Sequence, residues 1–142
     1  MNHTLAPYAL VLLRKEDKIS LLQRSLQAKF APDCFSIIGG SVEQNETFRQ
    51  AVLREAREEV GVTIAEQDLY FVHVFYRKGT VSELVACVFE CRVWQGEPYN
   101  REPEKHNVLQ WFAIDQLPEK MIPAHRGVLG LIAQGVPYSE QP

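Results

Sequence analysis

The sequence contains little cysteine and no cysteine motif for a metal, which excludes disulfide-rich and zinc-finger classes of protein. Its three cysteines are an odd number, and no CxxC or CxxH pair accompanies them. Cys87 and Cys91 fall on one face of a predicted strand, where a rise of about 3.3 Å per residue separates them by about 13 Å, too far for a disulfide. We therefore expect free, hydrophobic thiols in a reduced, cytoplasmic protein.

Long apolar runs and an excess of positive charge are absent as well. The longest apolar stretch, residues 5–13, is interrupted by Pro7 and falls well short of the about 20 residues that span a bilayer. No basic segment precedes it and no small-residue cleavage site follows it, so a signal peptide is not expected. With 15 basic and 18 acidic residues the net charge is -3, which argues against a membrane surface or polymeric nucleic acid as partner. A small nucleotide bound through a metal ion is compatible with this balance.

The composition is that of an ordinary globular domain. The chain contains 142 residues, of which 46% are hydrophobic and 23% charged. A chain of this size buries roughly two-thirds of its unfolded surface, which is enough for a core. No repeat, low-complexity tract or linker divides it. We therefore predict a single domain over residues 1–142.

Turn residues divide the chain into strands and helices. Two predicted strands at 8–13 and 19–23 form a hairpin, and a short strand at 34–38 stops at Gly39-Gly40. The other predicted elements are a helix at 48–60, strands at 69–76 and 82–93 joined by a turn at 78–80, a loop at 95–107, a strand at 108–114 and a helix at 124–134. This order predicts an α/β domain with a mixed sheet and helices packed on its faces.

The best-marked predicted helix runs from Phe48 to Val60. Thr47 is a suitable N-cap, Gln50 three residues later completes a capping box, and Gly61 stands where a left-handed closing residue belongs. Neither glycine nor proline lies between these marks. Both ends of this helix are thus predicted from local sequence.

Three carboxylates share one side of this helix. At about 100° per residue, the apolar stripe that faces the sheet comprises Phe48, Val52, Ala56 and Val60. Glu59 falls inside that stripe, and Glu55 and Glu58 lie on its border. Like charges at these spacings repel, and a glutamate in an apolar stripe takes up a proton unless it is compensated. A divalent cation such as Mg²⁺, which prefers oxygen ligands and shares them with phosphates, would remove both penalties.

The alternative interpretation is a solvated charged helix, in which Arg54 pairs with Glu58 four residues later. The angular position of Glu59 argues against it, as does the pair Gly39-Gly40 that ends a strand just before the helix. Such a glycine pair lets the backbone approach an anion or a metal closely. Gly39 and Gly40 are therefore candidates for close contact with a metal or with a substrate anion.

The residues around this helix match a known pattern. From Gly40 the chain reads glycine, five residues, Glu46, seven residues, and then Arg54 as the first residue of REAREEVGV. This resembles the Nudix box, G-x5-E-x7-R-E-U-x-E-E-x-G-U with U aliphatic, at every fixed position, and Ala56 is a tolerated small residue at the first U. Asn45 stands where many members have glycine, and asparagine tolerates a left-handed backbone better than most residues. The chain is thus identified as a member of the Nudix family.

The resemblance implies both a fold and a chemistry. The family has an α/β/α sandwich around a mixed sheet, and its members cleave a nucleoside diphosphate linked to another group, with Mg²⁺ or Mn²⁺ as the usual cofactor. By position, Glu58 and Glu59 match the main metal-binding carboxylates, and Glu55 matches a ligand or the general base. Arg54 would orient these carboxylates by ion pairing, and the carbonyl of Gly39 is implied as a further metal ligand.

The implied reaction is attack of water on a phosphorus of the diphosphate bridge, with a base within hydrogen-bond reach of that water. The candidate bases are Glu55 and a carboxylate of the loop 100–105, where we favour Glu104 over Glu102; the alternative is a solvated loop. Arg24, at the end of the second strand, is a candidate phosphate ligand, with a plain surface arginine as the alternative. The predicted catalytic residues are Arg54, Glu55, Glu58 and Glu104.

Histidines and aromatic residues give weaker signals. His73 and His125 have no partner at metal-ligand spacing, so both are expected to be structural or exposed. One aromatic side chain, Phe35 or Tyr76, is a candidate for stacking on a nucleobase.

The substrate is only broadly indicated. Small single-domain members of the family often convert nucleoside or deoxynucleoside triphosphates to the monophosphate and pyrophosphate, which is the first interpretation. Members that act on ADP-ribose carry a proline some way beyond the box, whereas the next proline here is Pro98. The alternatives are hydrolysis of nucleotide sugars, ADP-ribose or other nucleoside diphosphates, and a non-catalytic nucleotide-sensing module. Sensors usually lose a box glutamate, and this chain keeps all four. Dimers are common in the family, so a homodimer is a further expectation.

Overall fold

The computed structural model describes residues 3–79 and 82–142, which contain eight strands and two helices. In chain order the strands are Thr4–Lys15 (β1), Lys18–Arg24 (β2), Phe35–Ser36 (β3), Ile38–Ser41 (β4), Leu69–Arg77 (β5), Ser82–Cys91 (β6), His106–Ala113 (β7) and Tyr138–Gln141 (β8). The helices are Phe48–Val60 (α1) and Pro123–Ala133 (α2), and a 3-10 turn at Glu66–Asp68 precedes β5. The predicted turn at 78–80 extends to Thr80, which lies outside the described residues.

Strand β1 is the centre of the sheet. It runs parallel to β6, in a register that starts with Thr4 opposite Ser82 and ends with Leu13 opposite Cys91. On its other side β1 pairs antiparallel with β4 and, next to the hairpin turn, with β2. β6 is antiparallel to β5, which pairs parallel with β8, while β2 pairs antiparallel with β3 and β7. These pairings confirm the predicted mixed sheet.

The two faces of β1 carry the two halves of the core. Ala9, Val11 and Leu13 belong to the cluster that α1 covers, whereas Leu10 and Leu12 belong to the cluster that α2 covers. All five are between 0% and 5% exposed. A central strand that is apolar on both faces requires a helix on each side. The predicted α/β/α sandwich is confirmed.

Helix α1 spans Phe48–Val60, as predicted, and both of its ends have the expected chemistry. The Thr47 hydroxyl accepts the Gln50 N–H at 3.1 Å, and the Gln50 side chain accepts the Thr47 N–H at 3.0 Å, which completes the capping box. At the other end Gly61 adopts a left-handed conformation with φ 70°, and its N–H bonds to carbonyls of the last turn. The cap geometry thereby fixes the position of the half of the helix that carries Glu55, Glu58 and Glu59.

Other element boundaries differ from the predictions. The predicted strand at 34–38 is divided at Ile37, because its first part pairs with β2 and its second with β1. β6 ends at Cys91 rather than at Val93, which is 63% exposed beyond the core. α2 begins at Pro123, one residue before the prediction, since proline suits the first turn of a helix. β8 has no counterpart among the predictions.

Two strands also begin earlier than predicted. β1 starts at Thr4, because its first residues pair with β6, and β7 starts at His106, which pairs with Arg24 across a bulge in β2. The early start of β7 places His106 in the sheet rather than in the predicted loop. That shift brings a histidine to the edge of the cavity described below.

The cysteines are free, as expected, with Cys91 buried and the other two half-buried. In the described ranges no helix is both long and apolar enough to cross a bilayer.

Candidate active site

The second half of α1 faces β4, and the glycine pair of β4 makes this close approach possible. The N–H of Gly39 donates to Oε1 of Glu59 at 2.9 Å. Gly39 has φ 148°, and a Cβ there would collide with the carbonyl oxygen of Ala9, so only glycine fits. A Cβ on Gly40 would lie 2.6 Å from Oε1 of Glu55. Two carboxylates of the helix therefore lie directly against two glycines of the strand.

Arg54 organises the other carboxylates. Its guanidinium binds Glu46 in a bidentate manner, with Nε and Nη2 at 2.7 and 3.0 Å from the two carboxylate oxygens. Its Nη1 donates to Glu55 at 2.9 Å and to Glu58 at 3.3 Å, and Nη2 also donates to the carbonyl of Ser41 at 3.0 Å. The planar fork of arginine suits such a network, whereas the point charge of lysine does not. Arg54 thereby fixes both Glu55 and Glu58.

This network shifts the pKa values of its members. The hydrogen bond from Arg54 lowers the pKa of Glu46 and, in return, raises that of Arg54. Burial raises the pKa of Glu55, although its bond to Arg54 opposes this effect. A carboxylate with a raised pKa is a better proton acceptor near neutral pH.

Glu59 has the most perturbed carboxylate of the site. Burial, followed by repulsion from Glu55, raises the pKa of Glu59 to about 8, while the hydrogen bond from Gly39 opposes the shift. Without a cation, this side chain is therefore protonated at neutral pH. The sequence predicted this effect from the position of Glu59 in the apolar stripe.

A second set of donors reaches Glu59 from the loop before β7. In the described parts of the chain, one group of three acidic or imidazole side chains has its donor atoms within 4.8 Å of one another: Glu59, Glu102 and His106. The loop is fastened to the end of α1, because the N–H groups of Tyr99 and Arg101 donate to the carbonyls of Val60 and Glu59 at 3.1 and 3.0 Å. These backbone bonds bring Glu102 to the helix.

His106 is buried beside these carboxylates. It is 6% exposed, and its Nε2 lies 3.8 Å from Oε2 of Glu59. Its Nδ1 is buried without a hydrogen-bond partner. Burial lowers the pKa of His106, which keeps the imidazole neutral and able to donate a lone pair.

A cavity of about 420 Å³ opens from Glu59 and the glycine pair. Its other walls include Tyr8, Arg24, Phe30, Phe75, His106 and His125. Nε of Arg24 donates to the Phe30 carbonyl at 2.7 Å, and its guanidinium lies 5.8 Å from the centre of the Phe30 ring. The cavity is thus lined by the carboxylate of Glu59 and, elsewhere, by a cation beside an exposed aromatic ring.

His125 has a fixed tautomer in this cavity. Its Nδ1 accepts the N–H of Ile37 at 3.0 Å, so a neutral ring carries its proton on Nε2. Burial, with repulsion from Arg24, lowers the pKa of His125 to about 4. The ring lines the cavity, and its bond to the Ile37 N–H agrees with the structural role expected from the sequence.

Three further expectations concern ring side chains. His73 is structural as expected, since it is 0% exposed and its ring nitrogens bond to Val136 O and Ser139 Oγ. Phe35 is buried against Phe112 in an edge-to-face pair, so its ring is not free to stack on a base. Tyr76 lines a different depression together with Lys78 and Glu83. Phe30 is the exposed aromatic in the cavity.

A family model of the NUDIX domain matches residues 3–131. The chain belongs to the Nudix hydrolase family. The NAD-capped RNA hydrolase NudC of Pseudomonas aeruginosa is 33% identical over 124 residues, which covers 87% of this chain and 41% of that protein. The 8-oxo-dGTP diphosphatase of Haemophilus influenzae is 28% identical over 116 residues, which covers 81% of this chain and 83% of that protein. A crystal structure of a MutT NUDIX hydrolase from Burkholderia pseudomallei superposes with a TM-score of 0.80 and 27% identity, covering 89% of this chain and 97% of that one.

The chain spans less than half the length of the NudC relative but most of the length of the diphosphatase and of the MutT structure. Its similarity to NudC therefore concerns only a part of a longer protein. The match to smaller Nudix proteins extends over nearly their whole chains.

The predicted metal and catalytic residues of the box lie close together. Arg54 bonds to Glu55 and Glu58, Gly40 lies against Glu55, and Gly39 bonds to Glu59. Arg24 lines the cavity that opens from this network.

The loop carboxylate is the main difference in placement. Glu104 is exposed, while Glu102, the less favoured candidate, joins the cluster with Glu59. A catalytic role of Glu104 stays a prediction. His106 was not predicted, and the signal that could have indicated it is a glutamate four residues before a histidine, across a turn that contains Pro103.

Proposed function

We propose that this Nudix protein is a divalent-metal-dependent pyrophosphohydrolase that converts a nucleoside or deoxynucleoside triphosphate to the monophosphate and pyrophosphate. The observation that carries the proposal is the position of the carboxylates. Glu55, Glu58 and Glu59 lie on one side of α1, and Glu59 forms part of the wall of a cavity of about 420 Å³. Such a volume lies within the range of small-molecule sites, and it accommodates a nucleoside with its phosphates directed to the carboxylates.

The residues fit a metal ion with oxygen ligands. The proposed ligands are the carboxylates of Glu55, Glu58 and Glu59 with the carbonyl of Gly39, and Glu102 is a further carboxylate beside Glu59. The raised pKa of Glu59 supports this assignment, because a buried carboxyl beside another needs a cation to ionise at neutral pH. When bound, Mg²⁺ or Mn²⁺ supplies neutralisation of phosphate charge and lowers the pKa of the attacking water.

The protein itself supplies positioning and a base. Arg54 holds Glu55 and Glu58 in fixed orientations through Nη1, at 2.9 and 3.3 Å. We assign the base to Glu55, which is buried enough to have a raised pKa and is seated against Gly40. It would take the proton of the water as the oxygen bonds to phosphorus and the bridging P–O bond breaks. Glu102 is the competing base in the loop.

The remainder of the cavity offers contacts for the nucleotide. We propose that Arg24 binds a phosphate oxygen, and in support, the bond described for its side chain, to the Phe30 carbonyl, uses only Nε. Phe30 is 60% exposed and offers a ring face for a nucleobase. His125 offers one N–H donor, because the hydrogen bond from Ile37 occupies its other ring nitrogen.

A second candidate substrate is a dinucleotide diphosphate or a nucleotide sugar. The observation that favours it is the 33% identity to a NAD-capped RNA hydrolase over 87% of this chain. The same residues would perform the same attack on phosphorus, but the leaving group would be a nucleoside monophosphate or a sugar phosphate rather than pyrophosphate.

The deciding experiment measures product release from a substrate panel with and without Mg²⁺. The panel contains all nucleoside and deoxynucleoside triphosphates, oxidised forms, ADP-ribose, nucleotide sugars, dinucleoside polyphosphates and NAD. Glu58→Gln tests the site, and Glu66→Gln, an exposed glutamate in the 3-10 turn, is the matched control.

Metal-dependent release of pyrophosphate, lost in Glu58→Gln and kept in Glu66→Gln, supports the proposal. Turnover confined to NAD, ADP-ribose or sugar nucleotides would retain the mechanism and overturn the choice of substrate. Binding of a nucleotide without any turnover would instead indicate the non-catalytic sensing module.

A further inference from the structure

The place where Glu59 meets the loop contains a nitrogen donor as well as oxygen donors. Glu59, Glu102 and His106 each direct one donor atom to a common space, with all three atoms within 4.8 Å of one another. Mg²⁺ prefers oxygen ligands alone, whereas imidazole nitrogen favours first-row transition metals. We propose that Glu59, Glu102 and His106 form a mixed oxygen–nitrogen site that binds transition-metal ions such as Mn²⁺ and Co²⁺ in preference to Mg²⁺. This rests on the metal centre of the proposed function and adds an imidazole ligand to it.

The His106 ring has no other described hydrogen-bond role. Its side chain is 7% exposed, and its Nδ1 is buried without a partner. Its Nε2 faces Oε2 of Glu59 at 3.8 Å, which is beyond hydrogen-bond distance. A buried polar ring without partners is unfavourable, and an ion between Nε2 and the carboxylates would give Nε2 the partner that no hydrogen bond described for this ring supplies.

One tight turn delivers both loop donors. The N–H of His106 donates to the carbonyl of Glu102 at 3.0 Å, so the two residues are the ends of the same turn. Asn100 holds this turn at both ends: its Oδ1 accepts the N–H of Glu102 at 3.2 Å, and its Nδ2 donates to the carbonyl of His106 at 2.8 Å. Asn100 is therefore a positioning residue for the site.

The third donor is tied to the same turn through the backbone. The N–H of Arg101 donates to the Glu59 carbonyl at 3.0 Å, and the Arg101 guanidinium donates to the Arg57 carbonyl at 2.8 Å. A cation at the end of α1 also suits the helix dipole. Donors from helix, loop and strand are thus held together by bonds that involve none of the three ligand atoms, as a preformed site requires.

The spacing suits one ion. Two donors on opposite sides of an ion, each about 2.1 Å from it, are about 4.2 Å apart, and adjacent donors are about 3 Å apart. The observed 3.8 Å between His106 and Glu59, within a limit of 4.8 Å for all three donors, needs only small side-chain movements to reach those values. Two glutamates with one neutral imidazole give a donor set with two negative charges, and the cation beside it in the structure is Lys105, whose Nζ lies 3.4 Å from Oε2 of Glu102.

The test begins with metal-free protein and the metals alone. Mn²⁺ binding is measured from the electron paramagnetic resonance signal of the free ion, and Mg²⁺ binding by its competition with Mn²⁺. The wild-type protein is expected to bind Mn²⁺ more tightly than Mg²⁺, and the ratio of the two dissociation constants is expected to fall about tenfold in His106→Gln. His125→Asn, at another histidine of the same cavity, should leave the ratio unchanged. An unchanged ratio in folded His106→Gln would overturn the proposal.

A second measurement does not depend on any variant folding. Electron spin echo modulation of Mn²⁺ bound to the wild-type protein should show coupling to one nitrogen, and labelling histidine with ¹⁵N should alter that coupling. Bound Mn²⁺ without a histidine nitrogen coupling would refute the site, and His106 would then be a structural or substrate-contacting residue. Neither readout needs a substrate. Nitrogen-ligated Mn²⁺ in a protein that hydrolyses nothing would therefore support this site while rejecting the proposed function.

Discussion

Gly40 lies directly against the carboxylate of Glu55, so close that a Cβ at position 40 would be 2.6 Å from Oε1 of Glu55. The backbone of Gly40 is not in the left-handed region, so alanine would fit the chain itself, and only the flexible end of Glu55 would have to move. The glycine of the box is thus required by its neighbour across the site and not by its own conformation.

This relationship predicts that Gly40→Ala impairs the reaction without unfolding the protein. Displacement of the proposed base should lower kcat by about tenfold to a hundredfold, because small misplacements of reacting groups have large effects on rate. Steady-state kinetics and thermal unfolding would be measured together. Gly127→Ala, in α2 with open space around its Cβ, is the matched control and should leave kcat unchanged. Normal kcat in Gly40→Ala would exclude a catalytic role for the position of Glu55.

Arg54→Lys tests whether activity depends on the planar geometry of the guanidinium or only on its positive charge. Lysine cannot reproduce the bidentate pair with Glu46 together with the bonds to Glu55 and Glu58. We expect kcat/KM to fall about tenfold or more and the free energy of unfolding to fall by about 1–2 kcal/mol. Arg57→Lys changes an exposed arginine of the same helix and should alter neither quantity. Equal kinetics in the two variants would contradict the positioning role.

The sequence made α1 and its box predictable because every signal there is local. Thr47 and Gln50 cap the helix within one turn, Gly61 closes it, and the stripe of apolar residues orients it. The buried position of Glu59 followed from its angle on that helix alone. Where a site is built on one helix, helical periodicity is sufficient to predict it.

The loop side of the site could not be predicted in this way. Glu102 reaches Glu59 because the backbone N–H groups of Tyr99 and Arg101 donate to carbonyls at the end of α1. Such backbone hydrogen bonds do not depend on the residue type, so the sequence does not indicate them. Strand β8 was missed for a similar reason: it is short, mostly polar and stabilised by its parallel pairing with β5 at the edge of the sheet. Both features depend on tertiary contacts between distant segments.

Glu59→Gln should stabilise the metal-free protein at alkaline pH. The pKa of Glu59 is raised to about 8 in the folded protein, against about 4.5 in the unfolded chain. Its favourable contribution to the free energy of unfolding is therefore complete below pH 4.5 and is lost as the pH rises through 8. Between pH 6 and 9, in the presence of a chelator, the free energy of unfolding of the wild-type protein should therefore fall by roughly 2–4 kcal/mol relative to that of Glu59→Gln. Added Mn²⁺ should restore stability to the wild-type protein and much less to the variant. Parallel pH curves for the two metal-free proteins would contradict the burial of this charge.

Phe30→Ala tests the aromatic wall of the cavity. Because Phe30 is 60% exposed, its removal should leave thermal stability nearly unchanged. Loss of a stacking surface for the base should raise KM by about tenfold, in line with about 1–3 kcal/mol per stacked base, with little change in kcat. Leu26→Ala, at a side chain in the same loop that is 67% exposed, is the control. A KM equal to that of the control would exclude stacking on Phe30.

The lowered pKa of His125 predicts that the free energy of unfolding falls at acid pH. Burial and the charge of Arg24 lower the pKa of His125 to about 4, against about 6.5 in the unfolded chain. The contribution of His125 to the free energy of unfolding is therefore complete above pH 6.5 and is lost as the pH falls towards 4. Between pH 7 and 5 the resulting loss in the free energy of unfolding amounts to about 2 kcal/mol. His125→Asn keeps an acceptor for the Ile37 N–H and has no proton to gain, so its stability should fall less over that range. Urea unfolding of both proteins in a chelator at each pH cancels the contribution of Glu59, which is common to them. Curves that stay parallel from pH 7 to 5 would show that the folded protein takes up this proton as readily as the unfolded chain, which would contradict Nδ1 as the acceptor of the Ile37 N–H.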